Sequence, residues 1–312
     1  MRYDISPPYT FLEYFATSKL SVKPASSGEA TPFVWQADEL FTLLFFGDIV
    51  GQPGRKAVTH YMHHLHPLHP TDVVIANVEN ATHGFGFSKK NYDELRSVGI
   101  HIFTGGNHSF DREDSVAQIR EMPYLVRPAN FGHEASGVGW QVFPIVLQDG
   151  TTLQLGVVNL LGQVFMGHYD SPWESLDEAM EALHAHTPIV FLDMHAETTA
   201  EKMSLGWYAS GLGLSAMAGT HTHVQTADEK ILNGHTGFIT DAGFNGAEVS
   251  VIGMEVQPSI KRARTLGRAK MAIPEESSTL QVNAVRFTLH RTTGQCVAVE
   301  RVFHRLPQGL SS

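Results

Sequence analysis

The chain has 312 residues, of which 42% are hydrophobic and 17% charged, as in ordinary soluble proteins with one large domain or two small ones. Its net charge of −10 argues against general binding to nucleic-acid backbones or to anionic membranes. The single cysteine, Cys296, excludes an internal disulfide and suits a reducing compartment. The first 20 residues lack the apolar core of a signal peptide, and no apolar run could span a membrane, so a cytoplasmic location is predicted.

Two parts of the chain differ in character. Residues 1–40 show no hydrophobic period and contain the turn-forming Pro7-Pro8, so they are predicted to form an irregular N-terminal extension. Residues 41–312 are predicted to form the main domain. Within it, the basic run Lys261-Arg262-Ala263-Arg264 is interpreted as a solvated surface segment rather than a nucleic-acid patch.

The first half of the main domain alternates buried strands with helices. Strands are predicted over 41–46, 72–78 and 100–104, and helices over 55–66 and 88–98. Ser88 suits the cap before the second helix, and Gly99 suits its end. The three strands end at polar motifs, which are Gly47-Asp48, Glu79-Asn80 and Gly106-Asn107-His108.

The second half is richer in strands. A hairpin is predicted around Asp149-Gly150, and a helix over 171–185 with Pro172 in its first turn. Strands over 189–192 and 214–218 lead to two further motifs, Asp193-Met194-His195 and His221-Thr222-His223. More strands are predicted at 238–240, 280–289 and 295–303. This order of helices and strands predicts a layered α/β sandwich.

The position of the five motifs predicts a metal site. Ligands of open α/β sheets gather at the carboxyl ends of the strands, so these residues are expected to meet in one cleft. In extended backbone, His221 and His223 would point to the same side and could reach two neighbouring metals. Glu79 could bridge two cations, with the amide oxygen of Asn80 beside it.

The Gly106-Asn107-His108 motif fits the same chemistry. Asn107 could supply an oxygen ligand, which would leave His108 free to transfer a proton. Taken singly, each motif also has an ordinary structural explanation: a loop or capping aspartate for Asp48, a turn for Asn107-His108, and a core histidine for His195.

In this order the motifs resemble those of the calcineurin-like metallophosphoesterase superfamily and, within it, of the YmdB-like phosphodiesterase family. The resemblance covers residues 41 to about 303. The segments that carry it are Gly47-Asp48-Ile49-Val50-Gly51, Asn77-Val78-Glu79-Asn80-Ala81, Gly106-Asn107-His108-Ser109-Phe110-Asp111, Arg127-Pro128-Ala129-Asn130-Phe131, the segment Asp193 to Lys202, and the segment Thr220 to Asp228.

The resemblance implies a layered α-β-β-α sandwich and two divalent metal ions, with iron or manganese favoured and magnesium or zinc as alternatives. One metal would be held by Asp48, Glu79, Asn80 and His223, and the other by Glu79, Asn107, His195 and His221. Most metallophosphoesterases begin with Asp-x-His and bridge their metals with an aspartate. Here Val50 replaces that histidine and Glu79 that aspartate, a pattern that resembles the YmdB-like subgroup.

The implied activity is hydrolysis of phosphodiesters, with 2′,3′-cyclic nucleotides as candidate substrates. A metal-bridging hydroxide would attack in line while His108 acts as general acid, and Arg127 and Asn130 would either contact the substrate or support their loop. Two alternatives remain: a phosphomonoesterase, and a regulatory protein that binds metal or nucleotide with little turnover. The expected partner is a small nucleotide, and the sequence leaves a homo-oligomer open.

Overall fold

A computed structural model describes residues 36–132, 134–267, 269–274, 277 and 279–307. The described residues from Ala37 onward form one compact unit. Nearly all of the predicted N-terminal extension lies outside the described residues, so its irregular structure and its boundary at residue 40 stay predictions. None of the helices in the described ranges has the length and apolar character needed to cross a membrane.

The described chain alternates strands and helices through its first two thirds. The strands are β1 (Leu40–Phe46), β2 (Asp48–Ile49), β3 (Val73–Asn77), β4 (Ile102–Thr104), β5 (Leu125–Val126), β6 (Trp140–Val146), β7 (Thr152–Leu161), β8 (Val190–His195), β9 (Ala216–Thr220), β10 (Lys230–Leu232), β11 (Thr236–Ile239), β12 (Phe244–Ala247), β13 (Thr279–His290) and β14 (Cys296–Pro307). The α-helices are α1 (Gly51–His64), α2 (Lys89–Ser97), α3 (Glu113–Gln118), α4 (Pro172–His184), α5 (Thr199–Gly211) and α6 (Val256–Thr265).

Two mixed sheets are built from these strands. The first has the order β2-β12-β13-β1-β3-β4-β5, with β14 paired to β13. The second has the order β10-β11-β9-β8-β7-β6. Strands β1, β3 and β4 run parallel, as do β7, β8 and β9. Each sheet therefore directs the carboxyl ends of its central strands to one edge.

Three apolar clusters separate four layers. The central cluster joins side chains of the two sheets, such as Phe45 and Phe191, whose rings lie 5.0 Å apart. A second cluster packs the first sheet against α1 and α2 through Tyr61 and Leu95, and a third packs the second sheet against α4 and α5 through Leu176 and Leu205. The predicted α-β-β-α sandwich is confirmed.

Most predicted elements lie within a few residues of their observed bounds. Ser88 caps α2 by accepting a hydrogen bond from the Asn91 amide, and Gly99 follows that helix with a φ of 101°. Ser171 caps α4 in the same way, with Pro172 in the first turn. Two expectations shift: α1 begins at Gly51 rather than Arg55, and β8 continues through the Asp193-Met194-His195 motif instead of ending before it.

The buried thiol of Cys296 yields a prediction. Its side chain is 1% exposed, and burial raises the pKa of the thiol to about 12. Because the thiolate is the reactive form, we expect the native protein not to react with a disulfide reagent at pH 8. One equivalent per chain should react after denaturation. Stoichiometric labelling of the native protein on the same timescale would contradict this expectation.

Candidate metal centre

The carboxyl ends of the central strands bring all five motifs to one edge of the sandwich. Asp48 follows β1, while Glu79 and Asn107 lie in the loops after β3 and β4. His195 ends β8, and His221 follows β9. The predicted ligands are mostly buried: Asp48 and His195 are 0% exposed. Acidic and imidazole groups this deep need close partners, which the cleft supplies.

Glu79 lies at the centre of the group. Its Oε1 atom is 3.2 Å from His195 Nε2 and accepts a hydrogen bond of 2.8 Å from Asn80 Nδ2. Asn80 Nδ2 also faces Asp48 Oδ1 at 3.4 Å and His223 Nε2 at 3.5 Å. One carboxylate oxygen thus contacts members of both predicted ligand sets. A half-turn of the Asn80 amide would present its oxygen, the atom that binds a cation, at the same position.

Several acceptor atoms converge on His195 Nε2. Besides Glu79 Oε1, they are Asn107 Oδ1 at 3.0 Å and His221 Nδ1 at 3.1 Å. Two ligands at right angles around an ion, each at about 2.1 Å, would themselves lie about 3 Å apart. Within the described ranges, Glu79, His195 and His221 form the one group of three or more His, Cys, Asp or Glu side chains whose ligand atoms all lie within 4.8 Å of one another. Converging acceptors of this kind fit a divalent cation.

The nitrogen of His195 that points away from the cleft, Nδ1, has a hydrogen-bond partner that determines the tautomer of the neutral ring. Its Nδ1 atom lies 2.8 Å from the Thr220 hydroxyl, and that hydroxyl donates its one proton to Asp193 Oδ1 at 2.6 Å. The Thr220 hydroxyl must therefore accept a hydrogen bond from Nδ1–H of His195. In the neutral imidazole, which is the form that binds metal, Nε2 is then left with its lone pair directed at Glu79 and Asn107.

The other two imidazoles follow the same rule. His221 Nε2 lies 3.1 Å from a carboxylate oxygen of Glu197, so that Nδ1 is free to face His195. His223 Nδ1 donates to the backbone carbonyl of Ile252 at 2.8 Å, which leaves Nε2 on the side of Asp48 and Asn80. Each imidazole thus spends one N–H on an outer partner and directs a lone pair inward, as metal-binding histidines do.

The backbone around His221 and His223 differs from the expectation. Both were predicted in extended conformation, but their φ angles are 97° and 64°, in the left-handed region. Non-glycine residues are rarely stable there unless neighbouring groups hold them. Asp48 accepts a hydrogen bond from the His221 amide, and Asp241 accepts one from the Thr222 amide. The two rings reach the cleft because carboxylates hold the loop, and not through the alternation of a strand.

Val50, the residue that departs from the Asp-x-His pattern noted in the sequence analysis, has a packing role. It is 1% exposed, and a Cβ atom added to Gly253 would meet Val50 Cγ1 at 2.8 Å. The loop that contains Ile252 therefore passes directly over Val50. Since the Ile252 carbonyl binds His223, the small apolar side chain at position 50 supports an outer partner of a candidate ligand.

Burial and neighbouring charges shift the pKa values of the cluster. Burial raises the pKa of Asp48. It would also raise the pKa of Glu79, but His195 outweighs it and lowers that pKa to about 2. Burial lowers the pKa of His195, but Glu79 and Asp48 reverse this and raise it to about 9. The carboxylates therefore favour a positive charge here, which an imidazolium or a metal cation can supply. Metal binding should then release a proton.

His108 lies beside this cluster. Its backbone amide donates to Glu79 Oε2 at 2.8 Å, and its ring meets Phe85 edge to face at 4.9 Å. Ring atom Nδ1 is 2.5 Å from a carboxylate oxygen of Asp111, while the side chain remains 27% exposed. Asp111 thus orients a solvent-accessible imidazole whose other nitrogen can exchange a proton.

The structure places the two weaker candidates in supporting positions. Arg127 is 6% exposed and donates to the carbonyls of Pro128, Ala129 and Ala135. Asn130 is fully buried and bonds to both backbone groups of Leu161. These contacts favour loop support, the second of the two predicted roles, over substrate contact.

Sequence reasoning did not identify the outer partners of the candidate site. Glu197, Thr220 and Asp111 all lie inside motif segments, but spacing alone does not show which histidine each one meets. Ile252 acts through its backbone carbonyl, for which no side-chain signal exists. Gly106 also has a close-packing role, since a Cβ atom there would lie 2.1 Å from Glu79 Oε2.

A buried ion pair below the His221 loop yields a second prediction. Lys202 Nζ lies 2.7 Å from Asp241 Oδ2, and both side chains are almost fully buried. Replacing Lys202 with methionine would leave Asp241 without its cation, so we expect a loss of about 3 kcal/mol or more in the free energy of unfolding. Lys230→Met, which breaks a partly exposed pair of 3.7 Å, is the matched control and should cost under about 1 kcal/mol. Equal losses in urea denaturation would contradict this view.

Comparison with known proteins agrees with the fold and with the family that the motifs resemble. A 2′,3′-cyclic-nucleotide 2′-phosphodiesterase of Bacillus subtilis is 38% identical over 260 residues, which is 83% of this chain and 96% of the relative. The crystal structure of a phosphatase from Mycoplasma pneumoniae has a TM-score of 0.77 and 28% identity, covering 86% of this chain and 94% of that one.

A more distant structure supports the fold alone. The calcineurin-like phosphoesterase YfkN of Bacillus subtilis has a TM-score of 0.51 at 11% identity, covering 86% of this chain and 90% of that one. The profile of the family described as YmdB-like protein matches residues 44–302, which include every candidate ligand. The chain therefore belongs to the YmdB-like protein family.

Proposed function

We propose that this chain is a dinuclear metal-dependent phosphodiesterase that hydrolyses small nucleotide diesters, with 2′,3′-cyclic nucleotides as candidate substrates. The observation that carries the proposal is the arrangement of His195, His221 and His223, each with an outer hydrogen-bond partner and an inward lone pair. Family membership supports hydrolysis of phosphoric esters, and the activity for which the Bacillus subtilis relative is named supports a cyclic nucleotide diester.

The ligand atoms fit two sites that share Glu79. Asn80 lies close to Asp48 and His223, and Asn107 and His221 lie close to His195 Nε2, which supports the two proposed ligand sets. Nitrogen and oxygen ligands without thiolate suit iron or manganese, with magnesium or zinc as alternatives. Two such cations, when bound, would clamp a phosphoryl group and activate water for in-line attack.

His108 is assigned the role of general acid. Asp111 accepts a hydrogen bond from Nδ1–H, so that the proton which the imidazolium can donate is on Nε2. The bond from the His108 amide to Glu79 holds the residue beside the ligand group, although its ring contacts none of the ligands through a described hydrogen bond. A nearby donor that is not a ligand is what an alkoxide leaving group requires.

Metal analysis combined with a substrate panel tests the proposal. We expect about two transition-metal ions per chain, and turnover of 2′,3′-cyclic AMP that exceeds turnover of AMP. Preference for AMP would instead establish the monoesterase alternative. Metal-replete protein that binds the cyclic nucleotide without hydrolysing it would establish the regulatory alternative. The cytoplasmic location and a homo-oligomer stay predictions from the sequence.

A further inference from the structure

A cavity of about 420 Å³ adjoins the candidate metal centre. Its lining includes Phe85, Ile252, Met254, Arg262 and Met271. Two of these residues connect it directly to the site. The Phe85 ring touches the His108 ring at 4.9 Å, and the Ile252 carbonyl binds His223. A molecule in this cavity would therefore lie next to both the proposed acid and a proposed ligand.

We propose that this cavity binds the nucleobase of the substrate while its phosphodiester lies at the metal centre. The inference rests on the proposed function and adds a base-recognition site to it. The volume is within the range of about 300–1,000 Å³ that is typical of small-molecule sites. The cavity is also close to the proposed general acid, because the Phe85 ring lines the cavity and contacts the His108 ring.

The Phe85 ring is exposed in the way expected of a ring on which a base stacks. It is 41% exposed, although large aromatic side chains are usually buried. It lies between Gly84 and Gly86, whose φ angles of 88° and 75° turn the chain sharply on both sides. Bases stack on aromatic rings with little dependence on their identity, so this ring suits nucleotides as a class.

The other walls complete the chemistry of a base site. Met254 and Met271 supply polarizable apolar surface that adapts to a flat heterocycle. Arg262, from α6, adds a planar guanidinium, which can stack on a base or donate to its edge. Within the described ranges, Arg262 forms no ion pair. The basic run that the sequence analysis assigned to a solvated segment thus contributes one side chain to this cavity.

Binding to the metal-loaded enzyme tests the assignment. Calorimetry would compare adenosine 3′-monophosphate with 1-O-methylribose 3-phosphate, which carries a methoxy group in place of the base. We expect the nucleotide to bind about 10- to 100-fold more tightly, the contribution typical of a stacked base. Equal affinities in the native enzyme would overturn the proposal.

Two substitutions on α6 test whether the preference for the nucleotide arises in this cavity. Ala263→Phe would fill the cavity from an exposed position and should abolish the preference for the nucleotide, while phosphate affinity is unchanged. Gln257→Phe adds the same ring on the opposite face of the helix and should leave the preference intact. A preference that survives Ala263→Phe would overturn the assignment. Intact base preference without diester turnover would support the cavity and contradict the proposed function.

Discussion

Replacement of Glu79 with glutamine is expected to remove bound metal and diester hydrolysis together. Glu79 Oε1 contacts Asn80 on one side and His195 on the other, so both proposed sites lose an anionic ligand at once. Loss of an outer partner of a metal ligand typically costs about 10- to 100-fold in affinity or activity. The loss of a shared ligand should exceed about 100-fold in kcat, with metal content well below that of the native protein.

Glu94→Gln provides the matched control for this substitution. It makes the same chemical change at a residue that is 40% exposed and pairs with Arg55 at 2.9 Å. Metal content and turnover should be unchanged. If Glu79→Gln instead retains the native metal content and rate, the assignment of Glu79 as a shared ligand is wrong.

Replacement of His108 with alanine is expected to affect chemistry without affecting metal content. General acid catalysis typically contributes about 10²- to 10⁴-fold to a rate, so kcat for 2′,3′-cyclic AMP should fall within that range. A nitrophenolate leaving group needs little protonation. Turnover of bis-nitrophenyl phosphate should therefore fall much less, and the ratio of the two losses measures the role of His108 as a proton donor.

His186→Ala is the control for the His108 variant. His186 is an exposed histidine just beyond α4, away from the strand ends that carry the ligands. Its removal should change neither rate. Equal losses on the two substrates in His108→Ala would show that the residue positions the substrate or the ligands instead of donating a proton.

The fold was predictable where the local sequence pattern matches the residues that are buried in the structure. The buried runs before Asp48 and Glu79 and the capped helices α2 and α4 combine a clear hydrophobic pattern with strong end signals. Helix α5 gave no such signal, because its buried Lys202 is polar and its apolar residues do not form one narrow stripe. Tertiary contacts with Asp241 decide that position, and no local pattern contains them.

The candidate site was predictable as a set of residues but not as a geometry. Strand ends identify His195 and Asn107 because parallel strands direct their carboxyl ends to a common edge. The conformation of His221 depends on hydrogen bonds to Asp48, which is 173 positions away in sequence. Similarly, the buried contacts of Asn130 with Leu161 are formed across the fold, so the motif could not distinguish support from substrate binding.

The two roles of Ile252 have a thermodynamic consequence. Its carbonyl fixes His223, and its side chain borders the cavity beside His108. An occupant that shifts Ile252 would change the affinity of the His223 site for its cation. Linkage then requires the cation to change the affinity for the occupant by the same factor. In the proposed complex, metal loading and nucleotide selectivity would therefore be coupled, and selectivity measured with one metal would not have to hold with another.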